Sequence, residues 1–153
     1  MAKKIEFLLF IFLLVIPISC ASIRPISPEV NLMALEVDEI TLSHVNMVAS
    51  LRFYNPNETH LTISGLKYTL FLNDMKVSQG RTARTVEISP DGFGTMPLRI
   101  SSAYWDILKF LNKTQSKEEL HFFLKGTIKV RGVGVGHTFN FDKEGMIPLV
   151  HKQ

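Results

Sequence analysis

The side chains best able to do chemistry in this chain are five histidines and one cysteine, together with a cluster of glycines. His44, His60, His121, His137 and His151 show neither His-x-x-x-His nor His-Glu-x-x-His spacing. A metal site would have to be gathered by the fold from distant segments, and histidines on the surface or on strand faces are the simpler reading. Gly132-Val-Gly-Val-Gly136 has the glycine content of a phosphate loop, but it lacks the Gly-Lys-Ser/Thr ending and the Gly-x-Gly-x-x-Gly spacing. A flexible hairpin or bulged strand accounts for it. No serine stands in Gly-x-Ser-x-Gly, and no acid or histidine accompanies one in a recognisable order. The sequence therefore implies no metal and no cofactor, and the chain is expected not to be an enzyme.

Cys20 is the one residue whose position points to a covalent modification. It follows Lys3-Lys4 and an uninterrupted apolar run from Phe7 to Ile18, the order of an export signal. As a helix that 12-residue run would reach only about 18 Å, short of the roughly 30 Å hydrocarbon core. An uncleaved anchor is the alternative, because no charge follows until Arg24. Pro17-Ile18-Ser19-Cys20 resembles the lipobox of bacterial lipoproteins, although Pro17 stands where leucine is usual. That resemblance implies cleavage after residue 19 and an acylated Cys20, palmitate among its acyl chains, as the mature N-terminus. Several chains at about 0.8 kcal/mol per buried methylene would make attachment lasting. Otherwise Cys20 is simply an apolar residue of a signal or anchor. Residues 1–19 are thus read as the leader, 20–29 as a tether and 30–150 as one domain, held to an envelope membrane on its periplasmic or cell-surface side.

Composition limits what that domain can be. With 153 residues, 46% of them hydrophobic and 20% charged, the chain has apolar surface enough for one core and too little length for two. Removing residues 1–19 takes Lys3, Lys4 and Glu6 with it and leaves 15 basic against 13 acidic side chains. So small an excess argues against nucleic acid as a partner. A single cysteine excludes an internal disulfide framework.

Beyond the tether, with its two prolines, the pattern is that of strands. Val45, Met47, Ala49, Leu51 and Phe53 alternate with polar residues, giving one buried and one wet face. Asn55-Pro56-Asn57-Glu58 ends the strand, since proline lacks the ladder N–H and asparagine tolerates turn dihedrals. Leu61 to Leu72 resumes, with a bulge expected at Gly65 and a turn at Asn73-Asp74. Lys76 to Gln79 and Thr85 to Ile88 read as short strands, Ser89 to Phe93 as a turn, and Gly94 to Ile100 as a strand. Ser102 can cap a helix in which Tyr104, Ile107, Leu108 and Leu111 share a face. Leu120 to Val130 and His137 to Phe141 close the series. The expected fold is all-β with one inserted helix: a two-sheet antiparallel sandwich of about seven strands.

The run Leu51-Arg-Phe-Tyr-Asn-Pro-Asn57 followed by Leu61 to Asn73 resembles the late embryogenesis abundant type 2 family, whose shared unit is the water stress and hypersensitive response domain. Its hallmark is the Asn-Pro-Asn closing a hydrophobic strand, here Asn55, Pro56 and Asn57. The resemblance covers about residues 30–150. It implies an immunoglobulin-like or fibronectin-III-like sandwich and a non-catalytic role in desiccation and stress protection.

Asn55 and Asn57 are expected to hydrogen-bond their own backbone in the turn. Asn57-Glu-Thr59 and Asn112-Lys-Thr114 match glycosylation sequons, a coincidence in a chain with a lipobox-like start. Trp105 is read as packing beside the helical stripe. Lys76, Arg81 and Arg84 suit a solvated sheet edge, with anionic lipid headgroups as the alternative contact. Phe71 and Phe123 fall opposite the core faces, either exposed or beneath the helix. Two functions fit: a membrane-tethered domain that shields protein clients or the envelope by weak, broad contacts, or a structural lipoprotein that binds one envelope partner by strand addition.

Overall fold

Strict alternation of apolar and polar residues has built strands wherever it is sustained. In the computed structural model, which describes residues 25–103, 119–132 and 136–151, eight strands follow one another. They are β1 Glu29–Ile40, β2 His44–Tyr54, β3 Leu61–Leu72, β4 Met75–Thr82, β5 Val86–Ile88, β6 Phe93–Ala103, β7 Glu119–Arg131 and β8 His137–His151. Among the described residues there is no helix. The helix expected after Ser102, with Tyr104, Ile107, Leu108 and Leu111 on one face, lies outside the described residues, while Ser102 itself is buried in β6.

Two layers result. β1, β2 and β6 pair antiparallel as one sheet, and β4, β3, β7 and β8 as the other, with β5 on the far end of β3. The layers are not separate at every point. β8 runs antiparallel to β7 through Glu119↔Pro148 and then lies parallel to β1 at Leu35↔Leu149 to Val37↔His151. One core fills the space between the layers, drawn from both sheets: Leu35, Leu51, Phe53 and Met96 meet Ile63, Leu70, Leu124 and Ile128. All eight are at most 2% exposed, so each removes a full apolar side chain from water, roughly 1.5–3 kcal/mol apiece before entropy is charged against it.

The structure adds one strand to the expected seven and lengthens another. β1 escapes the pattern because register shifts at Leu32/Ala34 and Val37/Glu39 put Val30, Leu32 and Leu35 inside at uneven spacing. β8 continues ten residues past Phe141 through Asp142-Lys-Glu-Gly, a stretch too polar to read as strand. The turns follow their chemistry. Asn73 and Asp74 both take positive φ, 44° and 65°, as a tight hairpin between β3 and β4 demands. The Gly65 bulge is present as a shift in the β3–β7 register. Gly126 is needed for a different reason: β7 comes so close to β3 there that a Cβ would strike the Lys67 carbonyl.

Candidate functional site

At the end of β2 the chain buries amides rather than hydrocarbon. Asn55 is fully buried and Asn57 is 9% exposed. The Asn55 Nδ2 donates to the carbonyls of Thr59 (2.8 Å), Ser89 (3.0 Å) and Ile88 (3.3 Å), and its backbone N–H donates to the Gly92 carbonyl at 3.0 Å. Its Oδ1 accepts from both the backbone N–H and the Nδ2 of Asn57, each at 3.0 Å. Asn57 in turn brackets Ile26, accepting from its N–H at 2.7 Å and donating to its carbonyl at 2.9 Å. Pro56 sits between them with no N–H to satisfy.

Three segments distant in sequence are thereby stitched together: the approach to β1, the β2–β3 connection and the β5–β6 turn. The sequence led us to expect local turn bonds, and the side chains also reach 31 to 34 residues away. No buried side-chain polar atom among the described residues lacks a partner. The Nδ2 and Oδ1 atoms of both asparagines are thus engaged within the protein, and the motif serves to join its segments. The same bonds explain why Asn57 cannot serve as a glycosylation acceptor while the chain is folded.

A second region inverts this arrangement. On the outer side of the β3–β7–β8 sheet, Phe71 and Phe123 face each other across the strands, ring centroids 5.9 Å apart. Lys125 holds its Nζ 5.4 Å from the Phe71 ring and 5.9 Å from the Phe123 ring, a cation–π arrangement. Beside them Lys67, Thr69, Thr127 and Asp142 help line an open groove of about 540 Å³. The alternation placed the two phenylalanines on this face. Lys125 was legible from the same parity, two residues after Phe123, and was missed because it makes no motif.

A third cluster lies beside the buried amides. Tyr54 and Phe93 are 5.1 Å apart, and the Arg52 guanidinium lies 4.1 Å above the Phe93 ring. The Tyr54 hydroxyl donates to Asp91 at 3.3 Å. Its phenol is held above the ordinary tyrosine value, by desolvation first and then by the Asp91 carboxylate. Asp91 itself takes φ 50° in the turn that Gly92 closes onto the Ser89 carbonyl at 3.0 Å.

The remaining candidates find structural places. His44 bonds Thr41 and Ser43 in the β1–β2 connection. Among the described residues no group of three or more His, Cys, Asp or Glu is placed to hold a metal ion. Gly132 and Gly136 flank the connection between antiparallel β7 and β8, with Val130 opposite His137, so this segment is a hairpin; residues 133–135 lie outside the described residues. Lys76 and Arg81 stand on β4, an edge strand, and Arg84 in the connection after it. Cys20, Trp105 and Asn112 lie outside the described residues.

Fold and site together define an all-β, two-sheet domain whose polar motif is architectural. The family model of the late embryogenesis abundant protein matches residues 50–145, well over half of the chain. The chain belongs to this family. Among solved structures it is similar to a protein from Arabidopsis thaliana, with a TM-score of 0.64 at 10% identity over 85% of this chain and 86% of that one. It is also similar to a solution structure described as a late embryogenesis abundant (LEA) protein, with a TM-score of 0.55 at 17% identity over 97% of this chain and 84% of that one. A third likeness is to a structure described as ApaA from Bordetella pertussis, with a TM-score of 0.51 at 10% identity over 82% and 96%. At such identities these likenesses concern the fold. No curated protein matches this chain. Family membership fits a stress-related role.

Proposed function

We propose that this protein is a membrane-tethered, non-catalytic domain that shields other proteins or the envelope from drying, freezing or heat through weak and broad contacts. The observation that carries this reading is the division of labour in the molecule. The family motif is engaged in internal hydrogen bonds, while half-buried aromatic rings and an exposed lysine share a sheet face. Such a surface can contact many partners loosely and none with the convergent polar groups of a catalytic pocket. The tether is Cys20, acylated before residues 1–19 are removed and then the mature N-terminus, in a bacterial envelope. We read the sandwich itself as immunoglobulin- or fibronectin-like. Its support is the strand order, with β1-β2-β6 in one layer and β8-β7-β3-β4 in the other.

Two measurements test the reading. The chain should slow aggregation of two unrelated clients, without ATP, more than an inert β-sandwich of similar charge at equal mass. Protection no better than that control removes general shielding. Mass spectrometry of the membrane form should show a mature chain starting at an acylated Cys20, and an intact Met1 or an unmodified Cys20 would remove the tether. A second reading, an adaptor pairing with one envelope partner, is favoured by one observation: among the described residues β4 and β6 end the strand order, each pairing with a strand on one side only. A single partner recovered by crosslinking, lost when proline replaces Ser78, would select it.

A further inference from the structure

The two outer faces of the sandwich differ in charge. Over three adjacent rows of the β4-β3-β7-β8 sheet, the register sets Arg81, Lys67, Thr127 and Asn140 side by side, then Gln79, Thr69, Lys125 and Asp142, and on the other side Gly65 and Lys129. Four cations and one carboxylate thus share a patch four strands wide, about 15 Å at the usual strand spacing. Lys76 and Arg131 extend it; of the other carboxylates, Glu144 stands on β8 directly across from Phe123, while Glu87 on β5, Glu119 at the start of β7 and Asp74 in the β3–β4 turn lie farther out. Across the molecule β1 brings Glu29, Glu36, Asp38 and Glu39, and its sheet carries only Arg52 and Arg99 as cations among the strand residues.

We infer that the β4-β3-β7 outer face is a docking surface for an anionic lipid membrane. The patch is broad and the groove within it is open, with its cations spread over β4, β3 and β7 as headgroup phosphates are spread over a bilayer. Phe71 and Phe123 lie in the same plane, clasped by Lys125, where a half-exposed aromatic pair can settle among headgroups. The carboxylates of β1 oppose the reverse approach, so the charge pattern sets which side meets the bilayer. The surface acts whether or not Cys20 is acylated, and so goes beyond the tether.

The test is amine-reactive footprinting of the full chain with vesicles of phosphatidylcholine, with or without phosphatidylglycerol. Lys67, Lys125 and Lys129 should be modified about fivefold more slowly on the anionic vesicles alone, the protection vanishing at high salt. Arg99, probed with a guanidine-specific reagent, should react unchanged. Lys67→Glu with Lys129→Glu should abolish the protection at Lys125 while leaving the thermal melt intact, and Arg99→Glu should leave the protection in place. Equal protection on neutral vesicles overturns the inference, as does protection by poly-glutamate but not by vesicles, or none at all. Running Cys20→Ala alongside separates the two ideas. Salt-resistant attachment reports on the tether, and the salt-sensitive lysine footprint reports on this face.

Discussion

The buried amides at the end of β2 and the aromatic groove on β3 and β7 are opposite departures from ordinary burial. Around Asn55 the protein hides polar groups and satisfies every one, whereas around Phe71 and Phe123 it leaves apolar rings partly in water beside a cation. The first arrangement is costly to disturb because each broken bond strands a desolvated carbonyl or amide. The second costs little to disturb, since its side chains already face solvent. What the difference teaches is that the residues defining the family and the residues available to partners are different residues.

The comparison breaks first, and most visibly, at Asn55. Asn55→Ala should lower stability by about 3 kcal/mol, seen as a lower urea midpoint, because the Thr59, Ile88 and Ser89 carbonyls and the Asn57 amide each lose one hydrogen bond. Asn55→Asp should fare no better, since a carboxylate cannot donate to those carbonyls. Asn57→Ala should cost less, about 1–2 kcal/mol, and should speed hydrogen exchange at the Ile26 amide that Asn57 now holds. On the other side, Phe71→Ser with Phe123→Ser should move stability by less than about 1 kcal/mol and yet weaken client protection. Large destabilisation there, or unchanged protection, would erase the distinction.

The smallest effect is expected at Tyr54. Its raised phenol pKa means the neutral form is favoured in the folded state, so this contribution is present below the ordinary tyrosine value and fades as pH rises through the folded value. Asp91→Asn should therefore shift the Tyr54 titration downward, followed by NMR of its ring, and make the alkaline loss of stability smaller. Asparagine tolerates the positive φ at this position, so the turn should survive.

How much of this could be read from the residues depended on whether the signal was periodic. β2, β3, β6 and β7 were legible because their alternation runs unbroken, and the turns at Asn73-Asp74 and Ser89 to Phe93 because few residues accept their dihedrals. β1 was not, since its bulges destroy the period that would have shown it. The Asn55-Pro56-Asn57 motif was visible as a turn, but its long-range bonds to Ile26 and Ser89 were not, because amide geometry carries no trace of which distant carbonyl it will meet. The cationic face was legible only at its β4 edge, where Lys76 and Arg81 stand, and the rest was hidden for a related reason. Its lysines are scattered along the chain, and only the pairing of β3, β4 and β7 assembles them.

The double membership of β8 also governs the order in which the molecule can be made. Its last residues lie against β1, so the pairing of Leu35 with Leu149 must wait until more than a hundred residues after β1 has been synthesised. Until β6 has been made beside β2, β1 has only the β2 hairpin for support, and an isolated two-stranded hairpin is marginal in water. Even with β6 in place, the fold can be completed only late, because the β1–β8 contact joins residues far apart in the chain.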